Sequence, residues 1–146
     1  MKIRLLFLVL ASSLSACVSL PKEVENPLNG LCLNLMTSQY LLSVRRDLYT
    51  SDRLMTEKSE YGRHSSLKGQ VSSGTNVVVH RVLEAKDGSW GRFLRVQVEI
   101  NEGEFKGVIA DVPVHAPYHP SGKWTKNFTL DPNALEFNEE IVVPCD

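Results

Sequence analysis

The sequence predicts an all-β domain: a small, partly open barrel with a long loop and a Pro-rich C-terminal wrap that contains one short helical turn. Residues 90–100 alternate apolar and polar side chains, which is typical of a half-buried strand. Turn sequences flank this strand at 86–89 and 101–103. Five of the seven prolines lie at or after position 113, where they argue against regular central strands because proline lacks the backbone donor.

The N-terminus has the organisation of an export signal. Two basic residues precede an apolar run, 5–11, that is too short to span a bilayer. The sequence Leu-Ser-Ala-Cys then follows at 14–17 and resembles the lipobox of bacterial lipoproteins. The resemblance implies that signal peptidase II removes residues 1–16. Cys17 would then become the mature N-terminus and carry acyl chains such as palmitate. The alternative is an ordinary secreted protein with a coincidental cysteine after its cleavage site.

The same resemblance implies a location. Val18 follows the lipidated cysteine, and the Asp that retains enteric lipoproteins in the inner membrane is absent from that position. We therefore expect a lipid-anchored protein of the bacterial cell envelope, at the outer membrane and facing the periplasm. Residues 17–29 contain two prolines and are expected to form a membrane tether, and 30–146 to form a single domain.

Composition excludes several classes of protein. Of the 146 residues, 42% are hydrophobic and 23% are charged, as in an ordinary folded domain and unlike a disordered or collagen-like chain. The formal net charge is -1. This balance gives no electrostatic reason for binding nucleic acid.

Two cysteines remain besides Cys17. An exported chain meets an oxidising compartment, so we expect Cys32 and Cys145 to form a disulfide that joins the two ends of the domain. A redox pair is the alternative, and the absence of a C-x-x-C spacing argues against it.

The first half of the domain alternates between apolar and polar segments. The short apolar segment 28–36 is expected to pack at the edge of the domain, and 40–49 has the residues of a strand. The polar segment 51–66 predicts a long loop.

A β-meander follows, in which 75–83, 90–100 and 104–114 are strands joined by two tight turns. The third strand places Val108, Ala110, Val112 and Val114 on one face.

Two passages resemble bacterial SH3 (SH3b) domains. They are Leu67–Thr75, in which a Gly turn launches a strand, and the Gly-bounded hairpin Gly103–Val108. Val108 stands where that family usually has Trp. The resemblance covers about 40–114 and implies a small SH3-like barrel. We transfer no binding residue from the family.

The C-terminal tail combines prolines with many large apolar side chains. Asp131-Pro132 has the signature of a helix start, with Asp as N-cap and Pro at the first helical position. Because so many apolar groups are unsuited to solvent, we expect the tail to wrap over the open side of the barrel, fixed at its end by Cys145.

Basic and aromatic residues of two loops form the candidate binding surface: Arg63, His64, His115, Tyr118, His119 and Trp124. The alternative for Trp124 is a core position that seals the barrel. A basic tract that includes Arg45 is expected to be a solvated surface.

No motif for catalysis or metal binding is recognisable in the chain. His115 and His119 are four residues apart, but Pro117 and Pro120 disfavour the helix that would place both on one face. A second possibility is that His64 or His80 acts as a general base beside Asp87, Asp111 or Ser65. We expect no cofactor, no metal and no enzymatic activity.

The sequence therefore favours a non-catalytic binding or assembly module, anchored in the lipid bilayer, whose partner is a periplasmic protein or peptidoglycan. The alternative is an inhibitor or immunity-type lipoprotein that blocks an enzyme by inserting a loop.

Overall fold

A computed structural model of the protein describes residues 20–46, 49–56, 64–87, 91–115 and 124–146. These residues form nine strands and a short 3-10 helix, and none of their helices is long and apolar enough to cross a membrane. The strands are β1 Lys22–Glu23, β2 Cys32–Leu35, β3 Gln39–Arg46, β4 Tyr49–Met55, β5 Ser65–Val71, β6 Asn76–Asp87, β7 Gly91–Ile100, β8 Ile109–Val112 and β9 Val142–Pro144.

All nine strands belong to one sheet that curves around the core without closing. Its order is β5-β3-β4-β8-β7-β6-β2-β9, with β1 paired to β6. The pairs are antiparallel except for a short parallel contact between β4 and β8. The predicted all-β, partly open architecture is therefore confirmed.

The meander is present as predicted. β6, β7 and β8 pair antiparallel, and the alternating apolar residues of β7 point into the core, where Leu94, Val96, Val98 and Ile100 are all buried. The third strand is shorter than expected because Gly103 and Gly107, both at positive φ, form a turn that delays β8 until Ile109.

The predicted loop 51–66 is wrong at both ends. β4 pairs with β3 along its whole length, and β5 begins at Ser65. β4 is not recognisable in the sequence. It is mostly polar where it extends away from the core, so it lacks an alternating apolar pattern. Residues 57–63 lie outside the described residues.

β2 occupies a more interior place than the edge position expected for 28–36. It lies between β6 and β9, and Leu33 and Leu35 are fully buried. Cys32 of β2 is bonded to Cys145, and the two cysteines are 113 residues apart. The predicted disulfide thus fastens the last strand to the second.

The tail covers the core as predicted. Trp124, Ile141 and Val142 belong to the main hydrophobic cluster, together with residues of β2 to β8. The 3-10 helix Pro132–Ala134 has Asp131 as its N-cap, whose side chain accepts from the backbone N–H of Asn133. β9, which contains Pro144, lies at the end of the sheet. Proline, which has no backbone N–H, is tolerated in such an edge strand.

Candidate binding site

One face of the β3–β4 hairpin changes from apolar to polar along its length. Leu41 and Leu54 are opposite each other and lie in the main core. Side chains two residues apart on a strand share a face. The next pair on that face is Ser43 with Asp52, and the one after it is Arg45 with Thr50. The hairpin therefore extends past the core and ends in a polar surface.

This surface forms an open depression of about 520 Å³. Its described lining residues are Ser43 and Arg45 of β3, Thr50 of β4, His64 just before β5, and Ser65 and Ser66 of β5. Four hydroxyl groups, which can donate and accept hydrogen bonds, thus line it together with one guanidinium and one imidazole. We call this feature the hydroxyl depression.

The described residues that line the hydroxyl depression carry a positive formal charge, because Arg45 is among them and none of the six is acidic. The nearby carboxylate on the same face, Asp52, is paired with Lys68, whose Nζ lies 2.8 Å from Asp52 Oδ2. That lysine and aspartate compensate each other, so Arg45 supplies the formal charge of the described lining.

A close contact near the depression joins the β7–β8 turn to β5. Phe105, in the β7–β8 turn, packs so tightly against Gly69 of β5 that a Cβ at Gly69 would lie 2.4 Å from the ring atom Cζ. Gly69 is opposite Leu41, on the core side of Ser43. Phe105 therefore packs against β5 at the level of Leu41, two residues before Ser43 of the depression.

The binding surface predicted from the sequence is only partly described. His64 is exposed and lines the hydroxyl depression. Arg63, Tyr118 and His119 lie outside the described residues, as does Cys17.

Trp124 is not a surface residue. Its side chain is fully buried in the main core, and its indole N–H donates to Oε1 of Gln39 at 3.3 Å. Gln39 is equally buried, and its amide donates to Thr37 Oγ1 at 3.0 Å. The core interpretation of Trp124 is therefore right, and its assignment to the binding surface is wrong.

His115 is occupied within the tail. Its backbone N–H donates to Thr125 Oγ1 at 2.9 Å, and its ring Nδ1 lies 3.3 Å from the same oxygen. Among the described residues, no group of three or more His, Cys, Asp and Glu side chains is arranged to hold a metal ion.

The general-base pairings with Asp111 do not form. Asp111 accepts from Arg95 at 2.5 Å and from Gln97 at 3.0 Å. The Nδ1 atom of His80 lies 4.0 Å from a carboxylate oxygen of Glu99 instead. His64 lines the hydroxyl depression together with Ser65.

A second depression, of about 540 Å³, lies where β1 meets β6 and β7, and its lining is Lys22, Glu23, Val24, Glu25, Glu84 and Arg92. Arg92 donates from Nε and Nη2 to the two carboxylate oxygens of Glu84, at 2.7 and 2.8 Å. These bonds hold the pKa of Glu84 below its ordinary value. Arg92 is thus already paired with a carboxylate.

Sequence reasoning missed Ser43, Thr50 and Ser66 as site residues. A usable signal exists in β3, where Leu41, Ser43 and Arg45 alternate with buried Leu42 and Val44. That alternation shows one strand face becoming polar while the other stays apolar. The partners across β4 and β5 could not be read from it.

No family model matches the chain, and neither a curated protein nor a solved structure is significantly similar to it.

Proposed function

We propose that this protein is a lipid-anchored, non-catalytic binding module of the bacterial envelope. It holds a carboxylate-bearing cell-wall component in the hydroxyl depression. The observation that carries this proposal is the position of Arg45 with four hydroxyl groups in one depression, whose described lining residues include no carboxylate.

The chemistry of the depression matches that class of ligand. A guanidinium binds a carboxylate through two parallel hydrogen bonds, and these charge-assisted bonds are stronger than neutral ones. Serine and threonine hydroxyls supply adaptable donors and acceptors for sugar and peptide groups. Peptidoglycan combines both kinds of group, because its sugars carry hydroxyls and its peptides carry carboxylates.

Two features support the envelope location. Residues 14–17 resemble a lipobox. The Cys32–Cys145 disulfide is typical of an oxidising compartment.

A sedimentation experiment with purified peptidoglycan sacculi tests the proposal. The detergent-solubilised full-length protein is titrated against sacculi, in parallel with Arg45→Gln and Arg92→Gln. A hydrogen bond to a charged group contributes about 1.5–3 kcal/mol, so Arg45→Gln should weaken binding by roughly 10-fold or more. Arg92→Gln is the matched control, because Arg92 lines the other depression and is already paired with Glu84.

Two outcomes contradict the proposal. If wild-type protein stays in the supernatant and instead forms a stoichiometric complex with one envelope enzyme, the inhibitor function is favoured. If both arginine variants lose binding equally, the ligand does not depend on the hydroxyl depression.

A further inference from the structure

We infer that the membrane anchor fixes the orientation of the domain. The end of the sheet that carries β1 lies toward the bilayer, and the hydroxyl depression lies at the opposite end, so its ligand arrives from the cell-wall side and is not a lipid headgroup. This inference rests on the lipid anchor proposed above.

The chain between the anchor and the sheet is short. Lys22, the first residue of β1, is five residues after Cys17. Five residues span at most about 18 Å when fully extended. The sheet therefore begins within that distance of the lipidated residue, which leaves little freedom for the domain to turn over.

The segment after Lys22 is bonded to β6 at its two ends. Lys22 and Glu23 pair with Glu84 and Leu83, and the N–H of Val24 donates to the carbonyl of Val82 at 3.0 Å. Farther along, the N–H of Gly30 donates to the carbonyl of Val79 at 2.8 Å. These bonds lie one after another along β6. The N-terminal segment is therefore attached to the sheet at its β1 end.

An apolar side chain stands beside the anchor. Leu20 is 85% exposed and is three residues from Cys17. Exposed leucine next to an acylated terminus adds buried apolar area when it enters the headgroup region of a bilayer. Leu20 therefore favours contact between this end of the domain and the membrane.

Strand register places the hydroxyl depression far from β1. Asp52 of β4 is opposite Ala110, which is opposite Val98, which is opposite Val79 of β6. Thr50 thus lies near the level of Val77, whereas Lys22 lies at the level of Glu84. Seven residues along a strand correspond to about 23 Å.

The two depressions consequently face different surroundings. The one lined by Lys22, Glu84 and Arg92 lies at the anchored end. The one lined by Ser43, Arg45 and His64 lies at the far end. A lipid headgroup would meet the first, and a cell-wall polymer would meet the second.

Energy transfer from the protein to a lipid-bound acceptor tests this orientation. Full-length protein, with its disulfide intact, is labelled at Lys86→Cys or Lys106→Cys and reconstituted into vesicles that contain the acceptor lipid. Both lysines are exposed. Lys86 is opposite Arg92, and Lys106 lies in the turn that follows Ile100, eight residues farther along β7. We expect clearly stronger transfer from position 86 than from position 106.

A flexible Gly/Ser insertion of ten residues after Ser19 should reduce that difference, because it lengthens the free chain without touching β1. Equal or reversed transfer in protein that floats with the vesicles overturns the orientation and leaves the anchor standing. Protein that does not float with the vesicles contradicts the anchor, and with it both proposals.

Discussion

At the scale of single residues, Gly69 shows how one side chain can decide the packing of a strand. Its backbone is not in the left-handed region, so the requirement for glycine comes from the neighbouring ring and not from φ. Phe105 occupies the space that any Cβ would need, at a separation of 2.4 Å. This contact joins the β7–β8 turn to β5, which is an end strand of the sheet.

We expect Gly69→Ala to lower the free energy of unfolding by about 1–3 kcal/mol, because the added methyl group overpacks the contact with Phe105. Urea unfolding of the full-length protein in detergent measures the effect.

Phe105→Leu provides the test of cause. In the double variant, the cost of Gly69→Ala should be smaller than in the wild-type background, since the ring that it displaces is gone. Additive effects of the two substitutions would contradict the contact as the reason for glycine at this position.

Whether Trp124 is buried or exposed could not be predicted from its neighbours in the sequence. It lies in a polar stretch of sequence, so no neighbouring residue distinguishes a core tryptophan from an exposed one. The burial of Trp124 depends on a residue 85 positions away, because the indole N–H of Trp124 donates to the buried amide oxygen of Gln39. A buried indole with a hydrogen-bond partner is the arrangement that packing favours.

At the scale of elements, the sequence predicted what local patterns specify. The alternation in β7, the turn before β8 and the Asp-Pro start of the 3-10 helix each lie within a few consecutive residues, and each is confirmed. β4 could not be predicted because its strand character depends on pairing with β3 and β8. The hydroxyl depression was missed for the same reason, since three strands contribute to it.

The disulfide gives a prediction about the pairing of β2 with β9. In the double variant Cys32→Ala and Cys145→Ala, the free energy of unfolding should fall by about 2–5 kcal/mol, because the unfolded chain regains the freedom that the cross-link removes. Denaturant unfolding measures the loss, and chemically reduced wild-type protein is the control. Equal stability of the oxidised wild-type protein and the variant would show that the bridge does not constrain the domain.

At the scale of the whole molecule, we propose that the anchor and the binding surface lie at opposite ends of one nine-stranded sheet. β1 is the strand that follows the proposed anchor, and the register of β4, β8, β7 and β6 separates the hydroxyl depression from it. The tail supplies Trp124, Ile141 and Val142 to the core.

The mass of the membrane-derived protein tests the proposed lipid anchor. Wild-type protein isolated from membranes should have the mass of residues 17–146 plus the attached acyl chains. Cys17→Ala should give a protein without acyl mass that no longer needs detergent, because the buried acyl chains, at about 0.8 kcal/mol per CH₂, supply the membrane affinity. Unmodified Cys17 in membrane-derived wild-type protein would rule out the lipoprotein assignment.

An NMR titration decides whether the hydroxyl depression is the ligand site. Isotope-labelled full-length protein in detergent micelles receives soluble peptidoglycan fragments that retain their peptide carboxylates. We expect the largest amide shift changes on Ser43, Arg45, Thr50 and Ser66, and we expect Arg45→Gln to raise the fragment concentration needed for half-saturation by roughly 10-fold or more. Changes concentrated instead on Lys22–Glu25 and around Arg92, or no saturable change at all, would contradict this expectation.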